Sequence, residues 1–261
     1  MTGLVATIEG IGYWSRGLPS WETGRAFAAD GTLPAETPAR PSPQLLAPNE
    51  RRRAPETVAV ALDVALAACT AAGREPALLP SVFASTHGDL AITDYMCSTL
   101  TGDPRTVSPT RFHNSVHNAA AGYWTIGAGA MQPATAISAY DATFAQGLLE
   151  AMVQLATGTE AVLLVGYDGA STGPLARISP SEGLLGAALV LSRAPAGGRP
   201  QLRVTLDDGH AGTGDGALAC RDATNAMAPM LALFDALASG QREALLKAGP
   251  GRVLRVEIDH V

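Results

Sequence analysis

The chain has 261 residues, of which 47% are hydrophobic and 16% charged, and its formal net charge is −6. This length predicts one α/β domain spanning residues 1–261 with a substantial core, and the acidic balance argues against a nucleic-acid surface. No apolar run reaches the roughly 20 residues that a membrane span needs, and no signal peptide opens the chain, so we expect a cytoplasmic protein.

Cysteine usage excludes two further classes. The cysteines are three in number and show no C-x-x-C spacing, so neither a disulfide framework nor a zinc site is expected. We expect small buried side chains at all three positions, Cys69, Cys97 and Cys220. We expect neither a metal nor a cofactor.

The first predicted element is a strand over residues 4–14, whose two glycines permit close approach of another backbone. Residues 15–55 are rich in Pro, Ala and polar side chains, which predicts a long surface insertion. The insertion ends in Arg51, Arg52 and Arg53, a run that is usually a solvated face before a helix.

An alanine-rich helix follows over residues 56–73 and ends at Gly73. A strand over residues 79–85 then leads into the turn Ser-Thr-His-Gly-Asp, which begins at Ser85. The simplest interpretation of His87 is a histidine that is hydrogen-bonded within this tight turn.

The segment from Phe112 to Asp168 organises the chain. It begins with a small-residue helix containing Asn118, and His113 and His117 lie four residues apart, so on a helix they would share one face. No third ligand follows at useful spacing, which favours a packing or interface role for these histidines over a metal site.

A short strand over residues 135–139 is followed abruptly by a helix over residues 142–156 and an apolar strand over residues 161–165. A sharp strand-to-helix corner lifts its residue clear of the sheet, towards the amide N–H groups of the helix, and acyl-transfer enzymes place a nucleophile there. We place Asp141 at this corner. A carboxylate would hold an acyl chain only as an unstable mixed anhydride, so we expect no covalent role and predict that Asp141 caps the helix.

The remaining pattern predicts strands over residues 183–192, 201–207 and 252–258, with a helix over residues 223–248. Residues 210–215 read His-Ala-Gly-Thr-Gly-Asp, which is typical of a glycine-rich loop. His260 is next to last.

The segment resembles the N-terminal half of a β-ketoacyl synthase of the thiolase superfamily. The family pattern is Asn-x-x-Ala-Gly, a Gly-x-x-Gly-Pro turn, a short strand, and Ala-Cys-x-(Ser/Thr) opening a long helix that ends in Gly. The positions in register are Asn118, Ala121, Gly122, Gly129, Pro133, Thr143 and Gly158, and the family's nucleophilic cysteine falls on Asp141.

The resemblance implies an α/β, thiolase-like fold of which only one half is present, without the C-terminal catalytic half. It also implies that His87 intrudes into an acyl pocket where the family has glycine. The residues implied to line an acyl tunnel or interface are Phe112, His113, Val116 and Trp124, and those in a strand that crosses the subunit boundary are Thr135, Ile137 and Ala139. The arginine run becomes a possible docking point for an acidic carrier protein or its phosphopantetheine phosphate.

Two hypotheses follow. The first is a non-catalytic partner similar to the chain-length factors of aryl polyene and type II polyketide pathways, without catalytic residues of its own. It would bind a full-length β-ketoacyl synthase, form a homodimer when alone, and work with an acyl carrier protein. The second is a free-standing thioester hydrolase or transferase in which Asp141 acts with His87 or His260. The missing half and the lost cysteine favour the first hypothesis, and exposed apolar surface on a single half would require a partner.

Overall fold

The computed structural model describes residues 3–195, 197–212 and 214–260. One mixed sheet of eight strands runs through this part of the chain. The strands are β1 (Leu4–Ser15), β2 (Ser81–Ala84), β3 (Ala134–Ile137), β4 (Ala161–Asp168), β5 (Leu185–Ser192), β6 (Gln201–Asp208), β7 (Glu243–Gly249) and β8 (Arg252–Asp259). The helices are α1 (Trp21–Asp30), α2 (Pro48–Arg53), α3 (Glu56–Ala72), α4 (Leu90–Thr101), α5 (Pro109–His113), α6 (Ala119–Ala128), α7 (Thr143–Ala156), α8 (Ala217–Arg221) and α9 (Leu231–Ser239).

The strand order is β3-β2-β4-β5-β1-β6-β8-β7. Strand β2 pairs parallel with β3 and with β4, and the other pairs are antiparallel. Every residue of β4 and β5 is buried, as expected for central strands that are covered on both faces. One apolar core includes residues of α7 and α9, and the other includes residues of α3 and α6. Because β2 runs parallel to β3 and to β4, the carboxyl ends of these three strands lie at the same end of the sheet.

Close approach explains the two glycines of β1. A Cβ at Gly12 would lie 2.0 Å from the Val64 carbonyl oxygen, and one at Gly10 would lie 2.2 Å from that of Ala68, both on α3. Helix α3 begins at Glu56 as predicted, and Gly73 caps it with φ 68°. The predictions of the first strand and of this helix are confirmed.

The insertion at residues 15–55 is more ordered than predicted because it contains α1 and α2. Ser20 caps α1, and the Trp21 ring packs against Tyr13 and Phe234 at centroid distances of 6.4 and 6.0 Å. This helix therefore contributes to the core next to α9, and the longest irregular stretch of the insertion lies between α1 and α2.

The predicted helix over residues 223–248 is wrong. The chain forms α9, ends it at Gly240 with φ 71°, and continues as strand β7. Residues of β7 have good helix propensity, but alternate residues are buried and the strand pairs with β8. Tertiary pairing thus overrides local preference. Within the described residues, no helix is long and apolar enough to cross a membrane.

Candidate functional site

The predicted corner lies between β3 and α7, and its strained residue is Tyr140. A single 3-10 turn covers Tyr140–Ala142, and Tyr140 has φ 53°, a left-handed conformation that is costly for a bulky side chain. The Thr143 hydroxyl holds the turn: it accepts from the Ala139 N–H at 3.0 Å and donates to the Tyr140 carbonyl at 2.5 Å. The corner therefore presents Tyr140, one residue before the position that the sequence suggested.

Asp141 does not cap the helix. Helix α7 starts at Thr143, and its N-cap residue Ala142 makes no side-chain hydrogen bond. The Asp141 carboxylate instead forms an ion pair with the Lys247 ammonium group of β7, and both side chains are partly exposed. An ion pair at this exposure contributes little to stability, commonly 0–1 kcal/mol. The capping hypothesis for Asp141 is wrong.

A buried carboxylate organises the neighbouring turn. Asp168, the last residue of β4, is fully buried and accepts hydrogen bonds from the Ser85 hydroxyl at 2.7 Å, the Thr86 N–H at 3.0 Å and the His87 N–H at 3.2 Å. Burial raises the pKa of this carboxyl above its usual value, although the hydrogen bonds oppose the shift. The local sequence gives one sign of this role for Asp168, which is an acid at the end of an apolar run.

The turn over residues 85–89 contacts the corner directly. Thr86 donates from its hydroxyl to the Tyr140 carbonyl at 3.3 Å, and the Ser138 hydroxyl donates to the Thr86 carbonyl at 3.0 Å. The His87 ring nitrogen Nε2 lies 3.2 Å from the Ser179 hydroxyl. Thus His87 lies in the turn and is hydrogen-bonded, as the simplest interpretation predicted, although the partner of its ring, Ser179, lies outside the turn.

The other histidines are dispersed. Helix α5 ends at His113, whereas His117 lies in the turn before α6, so the prediction of one shared helical face is wrong. His113 packs edge-on against Tyr123, and His117 Nε2 lies 2.7 Å from the Ser85 carbonyl oxygen. Across the described ranges, no group of three His, Cys, Asp or Glu side chains could hold a metal ion.

His260 and His210 lie away from the corner. His260 Nε2 contacts the Gln241 carbonyl at 2.7 Å, six residues along the chain from Lys247. In an extended strand, six residues span roughly 20 Å, so His260 is not placed to assist Asp141. His210 lies in the loop between β6 and α8, as its order in the chain predicted.

The candidate tunnel residues fall into two groups. Trp124 is fully buried beside Phe83, with ring centroids 6.3 Å apart, so it belongs to the core. Phe112 and Val116 are 62% and 52% exposed and contribute little to the packing of this chain. Thr135 and Ile137 lie in β3 at the open edge of the sheet, and Ala139 follows it.

Comparison with known proteins identifies the fold. A family model described as β-ketoacyl synthase, N-terminal domain, matches residues 21–252. No curated protein matches the chain in sequence. The structure is similar to a chain from the ketosynthase ApeO in complex with its chain length factor ApeC from Xenorhabdus doucetiae, with 22% identity, 97% of this chain and 99% of that chain covered, and a TM-score of 0.76.

Two further structures extend the comparison. A chain of the ishigamide ketosynthase/chain length factor is 14% identical, with 98% of this chain and 99% of that chain covered and a TM-score of 0.74. A β-ketoacyl synthase from Burkholderia phymatum is 16% identical, with 91% and 71% covered and a TM-score of 0.60. The predicted fold class, a thiolase-like α/β fold corresponding to the N-terminal half of a ketosynthase, is confirmed.

Proposed function

The chain belongs to the family of β-ketoacyl synthase N-terminal domains, and from this membership we propose that it is a non-catalytic, chain-length-factor-like partner of a full-length β-ketoacyl synthase. In this proposal the synthase provides the reactive thiol and acts on chains delivered by an acyl carrier protein. The present chain packs against the synthase and shapes its acyl tunnel, in an aryl polyene, type II polyketide or related pathway.

The observation that carries the proposal is a strained corner without a thiol. The turn between β3 and α7 consists of Tyr140, Asp141 and Ala142, and Tyr140 has φ 53°. The cysteines lie elsewhere, on α3, α4 and α8: Cys69, Cys97 and Cys220. Cys69 is buried as expected, but Cys97 and Cys220 are exposed, so the expectation of a buried side chain is wrong for those two. Burial raises the pKa of Cys69 to about 12, so this thiol is not activated as a nucleophile. The corner therefore offers no thiol to an acyl chain, which supports a non-catalytic role.

Exposed apolar side chains near β3 support a partner surface. Ile126 of α6 is 79% exposed, and Met131, in the link to β3, is 94% exposed. Phe112, Val116 and Tyr140, on neighbouring stretches of the chain, are also exposed. Exposed apolar surface of this kind is typical of protein interfaces. Two of the similar structures are ketosynthase and chain length factor pairs, which is the arrangement we propose here.

The alternative of a free-standing hydrolase has less support. Asp141 pairs with Lys247, the His87 ring contacts Ser179, and His260 is bonded at the far end of β7. A general base must lie within hydrogen-bond reach of the proton that it removes, and none of these contacts joins two of the three proposed groups.

The open edge of β3 gives a test of assembly. The backbone N–H groups of Ser81, in β2, and of Ser85, directly after it, donate to the carbonyls of Pro133 and Ile137 at 3.0 and 3.1 Å. Alternation in a parallel ladder turns the odd-numbered residues of β3 towards β2 and leaves the N–H and C=O of Ala136 facing the open edge. Pro at Ile137 would therefore break the chain's own ladder, whereas Pro at Ala136 removes a donor from the edge that is free to pair with a partner.

We expect Ala136→Pro to leave the isolated chain folded, because edge strands tolerate proline where the N–H faces outwards. Pairing of this edge with the synthase would lose the main-chain hydrogen bond that the Ala136 N–H donates, roughly 1 kcal/mol. That corresponds to a dissociation constant about fivefold weaker, measured by biolayer interferometry with the co-expressed synthase. Ile137→Pro serves as the matched comparison and should lower the thermal midpoint of the isolated chain. If Ala136→Pro binds with unchanged affinity, the subunit boundary lies elsewhere.

A further inference from the structure

Residues 90–113 form a unit that lies outside both apolar cores, and we call this unit the flap. It consists of α4, a 3-10 turn at Pro104–Thr106, and α5. Among the described residues 90–113, none is buried and none belongs to either apolar core. Leu100 and Phe112 are 54% and 62% exposed. Helices as short as α4 and α5, with 12 and 5 residues, are marginally stable without tertiary packing, so we expect the flap to open more readily than the core helices.

Contacts within the flap hold its two helices together. The Arg111 guanidinium of α5 lies 4.1 Å from the centroid of the Tyr95 ring of α4. The hydroxyl of Tyr95 accepts a hydrogen bond from the Ser108 N–H, directly before α5, at 2.9 Å. A guanidinium group over an aromatic ring is attracted to the face of the ring. The flap can therefore move as one piece.

The flap is attached to the rest of the chain mainly at its two ends. Asp89, which caps α4, accepts from the Thr57 hydroxyl of α3 at 2.9 Å and from the Ile92 N–H at 3.0 Å. At the other end, the chain returns to the interior at Asn114, which is 4% exposed. Along its side, α4 contacts the turn at Pro174–Arg177. Asp89 and Asn114 are therefore the two hinge positions.

A cavity of about 980 Å³ lies between the flap and the rest of the chain. Ala91 and Ile92 border it on the flap side. The start of α3 and the loops that follow β1 and β4 border it on the other side, and Leu184 lies there. Closing of the flap would bring Ile92 towards Leu184 and remove apolar surface from water. Apolar burial therefore favours a closed arrangement.

Positive charge on both sides of the cavity opposes closing. Arg111 borders the cavity on the flap, and Arg16 and Arg53 border it on the other side. Among the described residues, none of these three guanidinium groups has a carboxylate partner within 4.0 Å. Glu56, on the same border, already pairs with Arg40 at 3.2 Å. Like charges repel across the cavity when salt is low, because the Debye length is about 10 Å at 0.1 M salt and grows as the salt concentration falls.

We propose that the flap opens and closes over this cavity about its two hinges, and that repulsion between Arg111 and the arginines opposite it holds the flap open. Salt that screens this repulsion, or loss of one of the charges, closes the flap. The structure shows the open arrangement. Phe112 lies on α5, so closing moves one of the exposed side chains of the proposed partner surface. That consequence rests on the proposed function, whereas the movement of the flap does not.

Pulsed electron paramagnetic resonance on the isolated chain tests the movement with the cysteines that the chain already has. Cys97 is exposed on α4 and Cys220 is exposed on α8, outside the flap, so both accept a spin label. Cys69 is buried and its pKa is raised to about 12, so it stays unlabelled. We expect two components in the distribution of distances between the labels. Raising NaCl from about 0.02 M to about 0.5 M should increase the ratio of the closed to the open component at least about threefold.

Arg53→Gln should increase the same ratio at low salt by a similar factor, because it removes a charge that faces the flap across the cavity. Arg52→Gln is the matched control on the same helix, since Arg52 lies outside the cavity border, and it should behave as the wild type. Thr57→Val removes the hydroxyl that ties α3 to Asp89 and should speed amide hydrogen exchange in α4 without changing exchange in α7. A single distance that is independent of salt would overturn the proposal, and so would equal responses of Arg52→Gln and Arg53→Gln.

Discussion

Replacing Asp168 by alanine is expected to lower the free energy of unfolding by about 3–6 kcal/mol, measured by urea denaturation. The change leaves the Ser85 hydroxyl and the N–H groups of Thr86 and His87 without their acceptor. A buried group left unpaired costs about 1–3 kcal/mol, and the two N–H groups fall at the lower end of this range because Thr86 and His87 are only partly buried. Because Thr86 also contacts the Tyr140 carbonyl, loss of this clamp should loosen the corner together with the turn.

Asp141→Ala is the matched control for this prediction. It removes a carboxylate from the same region, but from a partly exposed ion pair with Lys247, and should change the free energy of unfolding by less than about 1 kcal/mol. Equal losses for the two variants would contradict the assignment of Asp168 as the buried clamp.

The contribution of Asp168 to the free energy of unfolding depends on pH with a definite sign. The folded-state pKa of Asp168 is raised above the unfolded value of about 3.9, mainly by burial. The folded state therefore binds more protons, and the contribution of Asp168 to stability is full below about pH 4 and falls as pH rises through the raised pKa. Asp168→Asn does not titrate. The free energy of unfolding of the wild type minus that of Asp168→Asn should therefore be more positive at pH 4 than at pH 7. The same value at both pH values would contradict the raised pKa.

Trp124→Ala is expected to destabilise the chain by about 3–5 kcal/mol, because it empties a fully buried site beside Phe83. Phe112→Ala is the matched aromatic truncation at an exposed position and should change stability by less than about 0.5 kcal/mol. Urea denaturation of both variants measures the contrast. A small effect for Trp124→Ala would mean that its ring is not part of the core.

The difference in burial also limits which residues could line an acyl tunnel. If residues 112–124 limit the length of the acyl chain, the side chains that do so are the exposed Phe112 and Val116, and not the buried Trp124. Room for one more two-carbon unit adds about 1.6 kcal/mol of apolar burial, which is somewhat over tenfold in product ratio. In an assembled complex, Phe112→Ala should raise the ratio of the product longer by one two-carbon unit to the original product by that factor. An unchanged length distribution would exclude Phe112 as the residue that limits chain length.

Local sequence signals predicted those parts of the fold where short-range chemistry and packing agree. The glycines of β1 indicated the close approach that Gly10 and Gly12 make to α3. The alanines of α3 favour a helix intrinsically, and Gly73 supplies the left-handed cap. The short run before the corner also formed the predicted strand, at the edge of the sheet.

Long-range contacts decided the rest. Residues of β7 prefer a helix locally and become a strand only because β8 pairs with them. Asp168 acquires its role from donors more than 80 positions away in the chain. The strained residue at the corner is set by the hydroxyl of Thr143, which holds the Tyr140 carbonyl, and the composition of the corner gives no sign of that bond. Similarly, the partner of Asp141 lies on β7, a strand that the sequence did not predict.

Intact-protein mass spectrometry tests the proposed function most directly. The chain is co-expressed with a full-length β-ketoacyl synthase, purified by a tag on one subunit, and incubated with an acyl thioester before the subunits are separated. We predict copurification of both subunits in equal amounts, with a covalent acyl adduct on the synthase alone and the same result for Asp141→Asn. Purification of this chain without the synthase, carrying an acyl adduct that Asp141→Asn removes, would contradict the proposal.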